Sequence, residues 1–159
     1  MQLYLQMRAG DQGYLLETDH IDRVLPLMRI RGVPGAAGGV TGLINYQGLP
    51  VPVLDLCELL LRRPAVRQVS TRLILLSVSS FPAAERVCPH GLVALLAEGV
   101  NGVIRLAPSD FIASAGTASA PWLGPMTSRG GSLLQRIELA WILSTDGLAV
   151  FRLASSTAA

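Results

Sequence analysis

The sequence contains no lysine, so all 13 of its basic side chains are arginines. Charged residues make up only 15% of the 159 residues, and the formal net charge is +2. Dedicated nucleic-acid-binding proteins usually carry a stronger positive field, so this weak charge argues against that class. Arginine keeps its charge and prefers planar, bidentate partners, so arginine-rich patches suit protein contacts as well as phosphate.

Cysteine and histidine are scarce, with two residues of each. Cys57 and Cys88 are far apart and form no C-x-x-C pair, which predicts two reduced, semi-buried thiols and neither a disulfide framework nor a zinc site. His20 and His90 have no cysteine or carboxylate at ligand spacing, apart from two aspartates near His20, and we interpret both as surface or turn residues. We therefore expect no metal and no cofactor.

Catalytic and phosphate-binding motifs are also missing. There is no G-x-S-x-G elbow, and the glycine-rich stretches 35–39 and 99–102 lack both the lysine of a phosphate loop and the G-x-G-x-x-G spacing, so we interpret them as turns. Asp55 and Glu138 could be imagined as an acid/base pair, but each precedes a short leucine pattern, which favours helix capping or turn chemistry. The sequence therefore predicts a protein that is not an enzyme.

No apolar run is long enough to span a membrane, since Leu73–Leu76 and Leu92–Ala97 fall far short of about 20 residues. The N-terminus also lacks the basic segment that precedes the apolar stretch of a signal peptide. Half of the residues are hydrophobic, so the chain can fill a core, and its length suits one domain or two small subdomains. We expect a cytoplasmic protein that does not insert into a membrane.

Short apolar runs punctuated by glycine and proline dominate the chain, and no long stretch keeps a helical period. Leu3–Met7 and Tyr14–Thr18 predict one hairpin, and Gly42–Tyr46 and Leu49–Leu54 predict a second around Gln47-Gly48. This pattern predicts an all-β fold with helix only in short pieces.

Pro50 and Pro52 lie two residues apart, so both direct their missing N–H groups to the same side. This favours an edge strand or a barrel rim over a central strand. Asp55 is placed to cap a short helix over Leu56–Leu61, and residues 79–90 form a turn-rich insertion.

Two sequence patterns occur twice and in the same order. Ile21-x-x-Val24-Leu25-x-Leu27 returns as Val100-x-x-Val103-Ile104-x-Leu106, in each copy after a strand-like run and a glutamate. The pattern of residues 53–60 returns in residues 136–143, where a strand runs into a carboxylate and then a brief leucine pattern. We expect the first-pattern residues Ile21, Val24, Val100 and Val103 to be buried in equivalent positions.

The repetition predicts two related β-subdomains that pack together, because each alone would bury too little surface. We place subdomain 1 at about 3–62 and subdomain 2 at about 71–143, with a seam near 62–70. Residues 144–159 form a C-terminal tail, and the whole chain, 1–159, is one domain.

The stretch Gly42–Leu56, GLINYQGLPVPVLDL, resembles the signature of CheW-like domains, whose usual form is G-[VI]-[IL]-[NL]-x-R-G-x-x-[VL]-P-V-[VIL]-D-L. Val33–Ala36 resembles the family's P-G-A step, and the likeness covers roughly Leu3 to Leu143. The resemblance implies two intertwined five-stranded SH3-like β-barrel subdomains around separate cores. It also implies a non-enzymatic adaptor that couples a methyl-accepting chemotaxis receptor to a CheA-type histidine kinase at membrane receptor arrays.

The sequence departs from the family signature at Gln47, where the family has arginine. The change removes a fixed charge and leaves a neutral amide, which favours a specialised coupling protein of a parallel chemosensory system. We expect Gln47 to be displayed at the barrel rim, where the resembled family carries partner contacts. The candidate contact residues are Arg23, Asn45, Tyr46, Gln47 and Leu49.

Nucleic-acid binding by a small β-barrel is the alternative function. Arg62, Arg63, Arg67 and Arg72 form the cluster that could grip phosphate, but no aromatic residues interleave with it, which favours a solvated connector. Trp122 and Trp141 could anchor a protein interface. We expect Trp122 in the core and leave Trp141 open between the two roles.

Overall fold

The computed structural model describes residues 1–34, 41–113 and 119–150, and within these ranges the protein is almost entirely strand and loop. The strands are β1 (Gln2–Ala9), β2 (Gln12–Glu17), β3 (Ile21–Pro26), β4 (Gly42–Tyr46), β5 (Leu49–Asp55), β6 (Arg72–Ser77), β7 (Leu92–Ala97), β8 (Gly102–Leu106), β9 (Leu123–Arg129) and β10 (Ser132–Ile137). The helices are α1 (Leu56–Leu61), α2 (Pro82–Val87) and α3 (Leu139–Ile142). Residues 145–150 are also helical. The expected all-β class is confirmed.

The strands form two five-stranded sheets that exchange strands between the halves of the chain. Sheet A has the order β8-β1-β2-β10-β9, and sheet B has the order β3-β6-β7-β5-β4. Neither sheet is built from one half alone. The boundaries 3–62 and 71–143 therefore separate two stretches of sequence, whereas both sheets draw strands from each stretch.

The two sheets have the same topology. If five is added to each strand number of sheet B, counting on from β10 to β1, its order becomes that of sheet A. Each sheet also contains one parallel pair, which is β2 with β10 in sheet A and β5 with β7 in sheet B. The first sequence pattern falls on β3 and at β8, and the second falls on β5 with α1 and on β10 with α3. The repeated patterns therefore occupy equivalent places in the fold.

The prediction that all four residues of the first pattern are buried is wrong. Val24 is 39% exposed and Val103 is 54% exposed, while Ile21 and Val100 are partly buried against the largest core cluster. β3 and β8 each stand at the end of a sheet's strand order, so their side chains are covered from fewer directions. The pattern thus marks equivalent strands without marking buried ones.

The apolar core is divided into three clusters. The largest combines residues of both sheets, such as Leu5 and Leu16 of sheet A with Ile74 and Leu95 of sheet B, so it lies between the sheets. Alternate residues of the same strands, which point to the opposite face, build one separate cluster on each sheet. Leu73 lies in the cluster of sheet B. β6 and β7 bury one face in the cluster between the sheets and the other face in the cluster of sheet B, so both strands read as continuous apolar runs.

The prediction of an edge position for the proline-containing strand is wrong, because β5 lies between β7 and β4. The ladder with β7 begins only at Val53, after Pro50 and Pro52. Both prolines face β4 at positions where an antiparallel ladder makes no hydrogen bonds. Their missing N–H groups therefore cost no ladder bond, and the hairpin end of β5 projects beyond β7.

The two predicted helix caps differ. Asp55 is the N-cap of α1, and its side chain accepts a hydrogen bond from the Cys57 N–H at 2.9 Å, as the sequence predicts. Glu138 occupies the same place before α3 but makes no capping bond and pairs with Arg136 at 2.7 Å. The turn-rich insertion contains α2, which the sequence did not indicate. The glycine-rich stretch 35–39 and the tail beyond residue 150 lie outside the described residues.

Candidate partner-binding surface

The β4–β5 hairpin carries four of the five predicted contact residues. Its two-residue turn consists of Gln47 and Gly48, which both have positive φ angles, 51° and 86°. Two successive positive φ angles are the signature of a type I′ turn, whose twist matches that of the flanking strands. The Gly48 N–H donates to the side-chain oxygen of Asn45 at 2.8 Å, which adds a second restraint to the turn. The hairpin tip is therefore a rigid, preformed projection.

The hairpin divides its side chains between two faces. Tyr46 pairs with Leu49 and Asn45 pairs with Pro50, and directly paired residues share a face. Tyr46 packs partly against the cluster of sheet B, so its face is the inner one, and Leu49 lies exposed beside it. Asn45 is exposed on the outer face, and the exposed Gln47 stands at the apex. Gln47 is exposed, as expected.

Arg23 does not belong to this projection. It is exposed on β3, next to a bulge between Ile21 and Arg23, and β3 and β4 stand at opposite ends of the strand order of sheet B. The structure therefore groups Asn45, Tyr46, Gln47 and Leu49, and it places Arg23 on a different strand of the same sheet.

The first glycine of the signature is required by a close backbone approach. Arg31 and Leu43 exchange two backbone hydrogen bonds of 2.8 Å, which brings the chain after β3 against β4. A Cβ atom on Gly42 would lie 2.6 Å from the Arg31 carbonyl oxygen, far inside normal contact. Gly42 therefore allows the segment after β3 to fasten the base of the hairpin.

A buried polar cluster, which sequence reasoning missed, holds the connector between the halves. We call residues 62–71 the strap. Glu98, at the end of β7, receives two hydrogen bonds from the Arg63 guanidinium, at 2.7 and 3.2 Å, and one from the Val66 N–H at 2.7 Å. Asp55 receives another from the Ala65 N–H at 2.8 Å. Both carboxylates are buried, and together they fix the strap to the sheet.

The two buried carboxylates respond differently to their surroundings. Hydrogen bonds from Arg63 are the main reason that the pKa of Glu98 is lowered from its usual value. Burial raises the pKa of Asp55, although backbone N–H groups oppose the rise. Glu98 is the glutamate that precedes the second copy of the first sequence pattern, so the sequence marks one member of this cluster. Its partner, Arg63, is 35 positions away in the chain, a separation at which no spacing rule applies.

The equivalent place in the other sheet also holds a carboxylate–arginine group. Arg136 lies 2.7 Å from Glu138 and 3.8 Å from Glu17, the residue that ends β2 as Glu98 follows β7. The guanidinium also stacks over Phe111, with 5.6 Å to the ring centroid. Glu17 and Glu138 are more exposed than Glu98, whereas Arg136 is less exposed than Arg63. Glu138 therefore has Arg136 as its partner, and Asp55 has the N–H groups of Cys57 and Ala65.

Two of the four arginines considered as a nucleic-acid-binding cluster donate hydrogen bonds within the fold. Arg63 is bound to Glu98, and Arg72 donates to the backbone carbonyl oxygens of Val69 and Thr71. Arg62 ends α1 with a φ of 56° and leaves its side chain exposed. These roles agree with the connector interpretation, and nothing in them favours a phosphate-binding groove.

The two cysteines and His20, which were the remaining candidates for catalytic or metal-binding residues, pack against other residues of the fold. Cys57 and Cys88 are free and buried, and burial raises the pKa of their thiols to about 12 and about 11, so neither thiol is activated. His20 packs edge-on against Phe81 at 4.8 Å. In the part of the chain that the structure describes, no group of three or more His, Cys, Asp or Glu side chains could hold a metal ion.

The two tryptophans contact each other, with ring centroids 5.5 Å apart. Both Trp122 and Trp141 are partly buried and pack against the cluster between the sheets. The expectation of a core position for Trp122 holds in part, because its ring borders the core without being enclosed.

Comparison with known proteins identifies the fold. The model of the CheW-like domain matches residues 3–148. The crystal structure of the scaffolding protein TtCheW from Thermoanaerobacter tengcongensis superposes with a TM-score of 0.71 at 16% identity, over 92% of this chain and 90% of that one. No curated protein matches the sequence. Among the described residues, no helix is long and apolar enough to cross a membrane.

The family match covers nearly the whole chain and agrees with the signature at Gly42–Leu56. Proteins with this domain include scaffolds and adaptors of chemotaxis signalling. The chain therefore belongs to the CheW-like domain family.

Proposed function

We propose that this protein is a non-enzymatic adaptor that couples a methyl-accepting chemotaxis receptor to a CheA-type histidine kinase in the cytoplasm, at membrane receptor arrays. The observation that carries the proposal is the family match over residues 3–148. The rigid, exposed hairpin tip within the family signature supports it, because preformed projections lose little entropy when they bind. The coupling needs no metal, nucleotide or covalent step.

The contact surface in this proposal is the β4–β5 hairpin tip, formed by Asn45, Tyr46, Gln47 and Leu49, with Arg23 as a separate contact on β3. Leu49 offers exposed apolar surface beside the neutral amide of Gln47. A neutral tip suits a partner that lacks the carboxylate an arginine would bind. We therefore propose that the kinase partner belongs to a specialised chemosensory system.

Each sheet in this proposal closes into an SH3-like barrel. Two equivalent bridges support closure, Arg31 with Leu43 in sheet B and Ile112 with Met126 in sheet A. Each bridge joins the segment after one end strand, β3 or β8, to the other end strand, β4 or β9. A closed barrel would hold the hairpin base from both sides.

The test is reconstitution of the kinase and receptor encoded beside this protein. Adding the adaptor should couple receptor state to kinase autophosphorylation, and Leu49→Asp should reduce kinase binding about tenfold or more, since a charge would enter an apolar contact. The matched control is Leu133→Asp, an exposed leucine on β10, the strand equivalent to β5. Equal losses in both variants, or no coupling with wild-type protein, would contradict the proposal.

A further inference from the structure

We propose that Asn45 is a positioning residue for partner recognition, whose side chain holds the turn of the β4–β5 hairpin so that Gln47 is displayed in one direction. The inference rests on the adaptor function proposed above and deepens it. Within the proposed contact surface, it separates the residue that sets the shape of the hairpin tip from the residue that the tip displays. Asn45 then acts on the kinase through Gln47.

The first residue of the turn is conformationally strained. Gln47 has a φ of 51°, where its Cβ atom crowds the backbone, whereas a glycine adopts positive φ freely. This strain lowers the population of the turn conformer about tenfold relative to a glycine at the same position. Gln47 is exposed, so packing of the core does not require the residue. A strained residue that is kept at an exposed apex points to a role for its side chain.

The equivalent hairpin of sheet A, β9–β10, forms the same turn from glycines. Its turn residues are Gly130 and Gly131, with φ angles of 55° and 78°. The turn is also two residues long, since Arg129 pairs directly with Ser132. The two hairpins therefore share the length and nearly the same φ angles of the turn, and the one in sheet B carries a side chain at its first position.

A side-chain hydrogen bond accompanies the strained turn. The Asn45 side-chain oxygen accepts from the Gly48 N–H at 2.8 Å, a local bond of the kind that asparagine forms in turns. Pro50 lies directly opposite Asn45 and has no polar side-chain group, so it does not compete for the amide. In the equivalent hairpin Ser128, whose side chain is one atom shorter, lies opposite Leu133. The longer polar side chain therefore occurs in the hairpin whose turn contains the strained residue.

The hydrogen bond and the strain are similar in size. One neutral hydrogen bond favours the bonded conformer about fivefold, which offsets most of the strain at Gln47. Without the Asn45 acceptor, conformers with Gln47 at negative φ become populated, and its amide points in several directions. A partner that recognises one direction then binds only that fraction of the molecules, which weakens the apparent affinity. The base of the hairpin is held separately by the Arg31–Leu43 bridge, so the loss is confined to the tip.

The test is a double-mutant cycle on binding to the kinase encoded beside this protein, with the wild type, Asn45→Ala, Gln47→Asn and the double variant. Asparagine adopts positive φ more readily than glutamine and keeps a side-chain amide, so Gln47→Asn reduces the need for the hydrogen bond. Asn45→Ala should raise the dissociation constant about fivefold when residue 47 is glutamine, and less than about twofold when it is asparagine. If Asn45 contacts the kinase directly, the loss is the same in both backgrounds.

A second measurement needs no partner. Hydrogen exchange of the Gly48 N–H, followed by NMR in the free protein, should become about fivefold faster in Asn45→Ala, because its acceptor is lost. Asn45→Asp keeps an acceptor oxygen, so exchange should stay slow in that variant. The matched control is Ser128→Ala in the equivalent hairpin, which should change neither the exchange of Gly48 nor the kinase affinity. Thermal melting should show that all variants are folded.

The outcomes separate a failure of this inference from a failure of the adaptor function. Equal losses in the two backgrounds, an unchanged exchange rate of Gly48 in Asn45→Ala, or an equal loss of affinity in Ser128→Ala overturns the positioning role of Asn45 and leaves the adaptor function standing. A wild type that binds no kinase overturns the adaptor function, and the positioning role with it.

Discussion

Gln47 occupies a backbone conformation that side chains other than glycine, asparagine and aspartate adopt at a cost. Its φ of 51° follows from the two-residue turn, which demands positive φ at both of its central positions. The sequence indicated the turn through Gly48 and indicated exposure of Gln47. It could not indicate that the Asn45 side chain accepts a hydrogen bond from the Gly48 N–H. An asparagine that contacts a partner and an asparagine that stabilises a turn look the same in a sequence.

Gln47→Arg should change partner choice more than stability. Both side chains are unbranched and carry the same strain at positive φ, so the free energy of unfolding should change by less than about 0.5 kcal/mol. The added charge should shift the preference between the protein's own kinase and a classical chemotaxis kinase, since rim charges act on specificity. Thermal melting and paired binding measurements provide the check.

Gln47→Gly serves as the control for strain in the same experiment. It relieves the positive φ and should stabilise the protein by about 0.5–1 kcal/mol while adding no charge. An unchanged kinase preference in the arginine variant would remove Gln47 from the contact surface. A large loss of stability would mean that its side chain has a packing role.

At the scale of elements, local signals succeeded where the determining contacts are local. The hairpin around Gln47-Gly48 and the α1 cap at Asp55 depend on residues within a few positions of each other, so the sequence predicts them. The central place of β5 depends on pairing with β7, as in Val53 with Ala94, and the clamping of the strap depends on Glu98, 32 residues after Val66. Proline spacing alone could not reveal that the ladder with β7 begins after Pro52.

Glu98→Gln should destabilise the protein at neutral pH and make little difference in acid. The pKa of Glu98 is lowered in the folded state, so its ionised form stabilises the fold above the unfolded pKa and loses this effect as the pH falls through the folded value. Replacing the charge-assisted bonds from Arg63 by neutral ones should cost about 1–2 kcal/mol at pH 7.

Denaturant unfolding at a series of pH values measures this difference. The difference between the wild type and the variant should begin to shrink at about pH 4, where glutamate protonates in the unfolded chain, and should vanish only below the lowered pKa of folded Glu98. Asp55 acts in the opposite sense, because its raised pKa favours the fold in acid, and it is present in both proteins. A difference that stays constant with pH would show that the Arg63 contact does not depend on the charge of Glu98.

At the scale of the molecule, the repeated patterns predicted two related halves but not how the halves are joined. A sequence repeat indicates that two segments form equivalent strands. It does not indicate whether those strands pair within one copy of the repeat or between the two copies. Here β1 and β2 pair with β8 and β10, and β6 and β7 pair with β3 and β5. Exchange of strands places the largest apolar cluster between the sheets, so each half depends on the other for its core.

Cutting the strap should leave the protein assembled, because both sheets contain strands from either side of the cut. A protease site inserted between Gln68 and Val69 separates residues 1–68 from 69–159. After cleavage the fragments should co-elute at the size of the intact chain, and their midpoint of denaturation should fall on dilution, because folding has become bimolecular. Each purified fragment alone should give the circular dichroism of an unfolded chain, since neither holds a complete sheet.

The uncut insertion variant controls for disturbance of the strap. Fragments that separate in native buffer, or one that keeps its sheet alone, would show that the halves fold independently despite their exchanged strands.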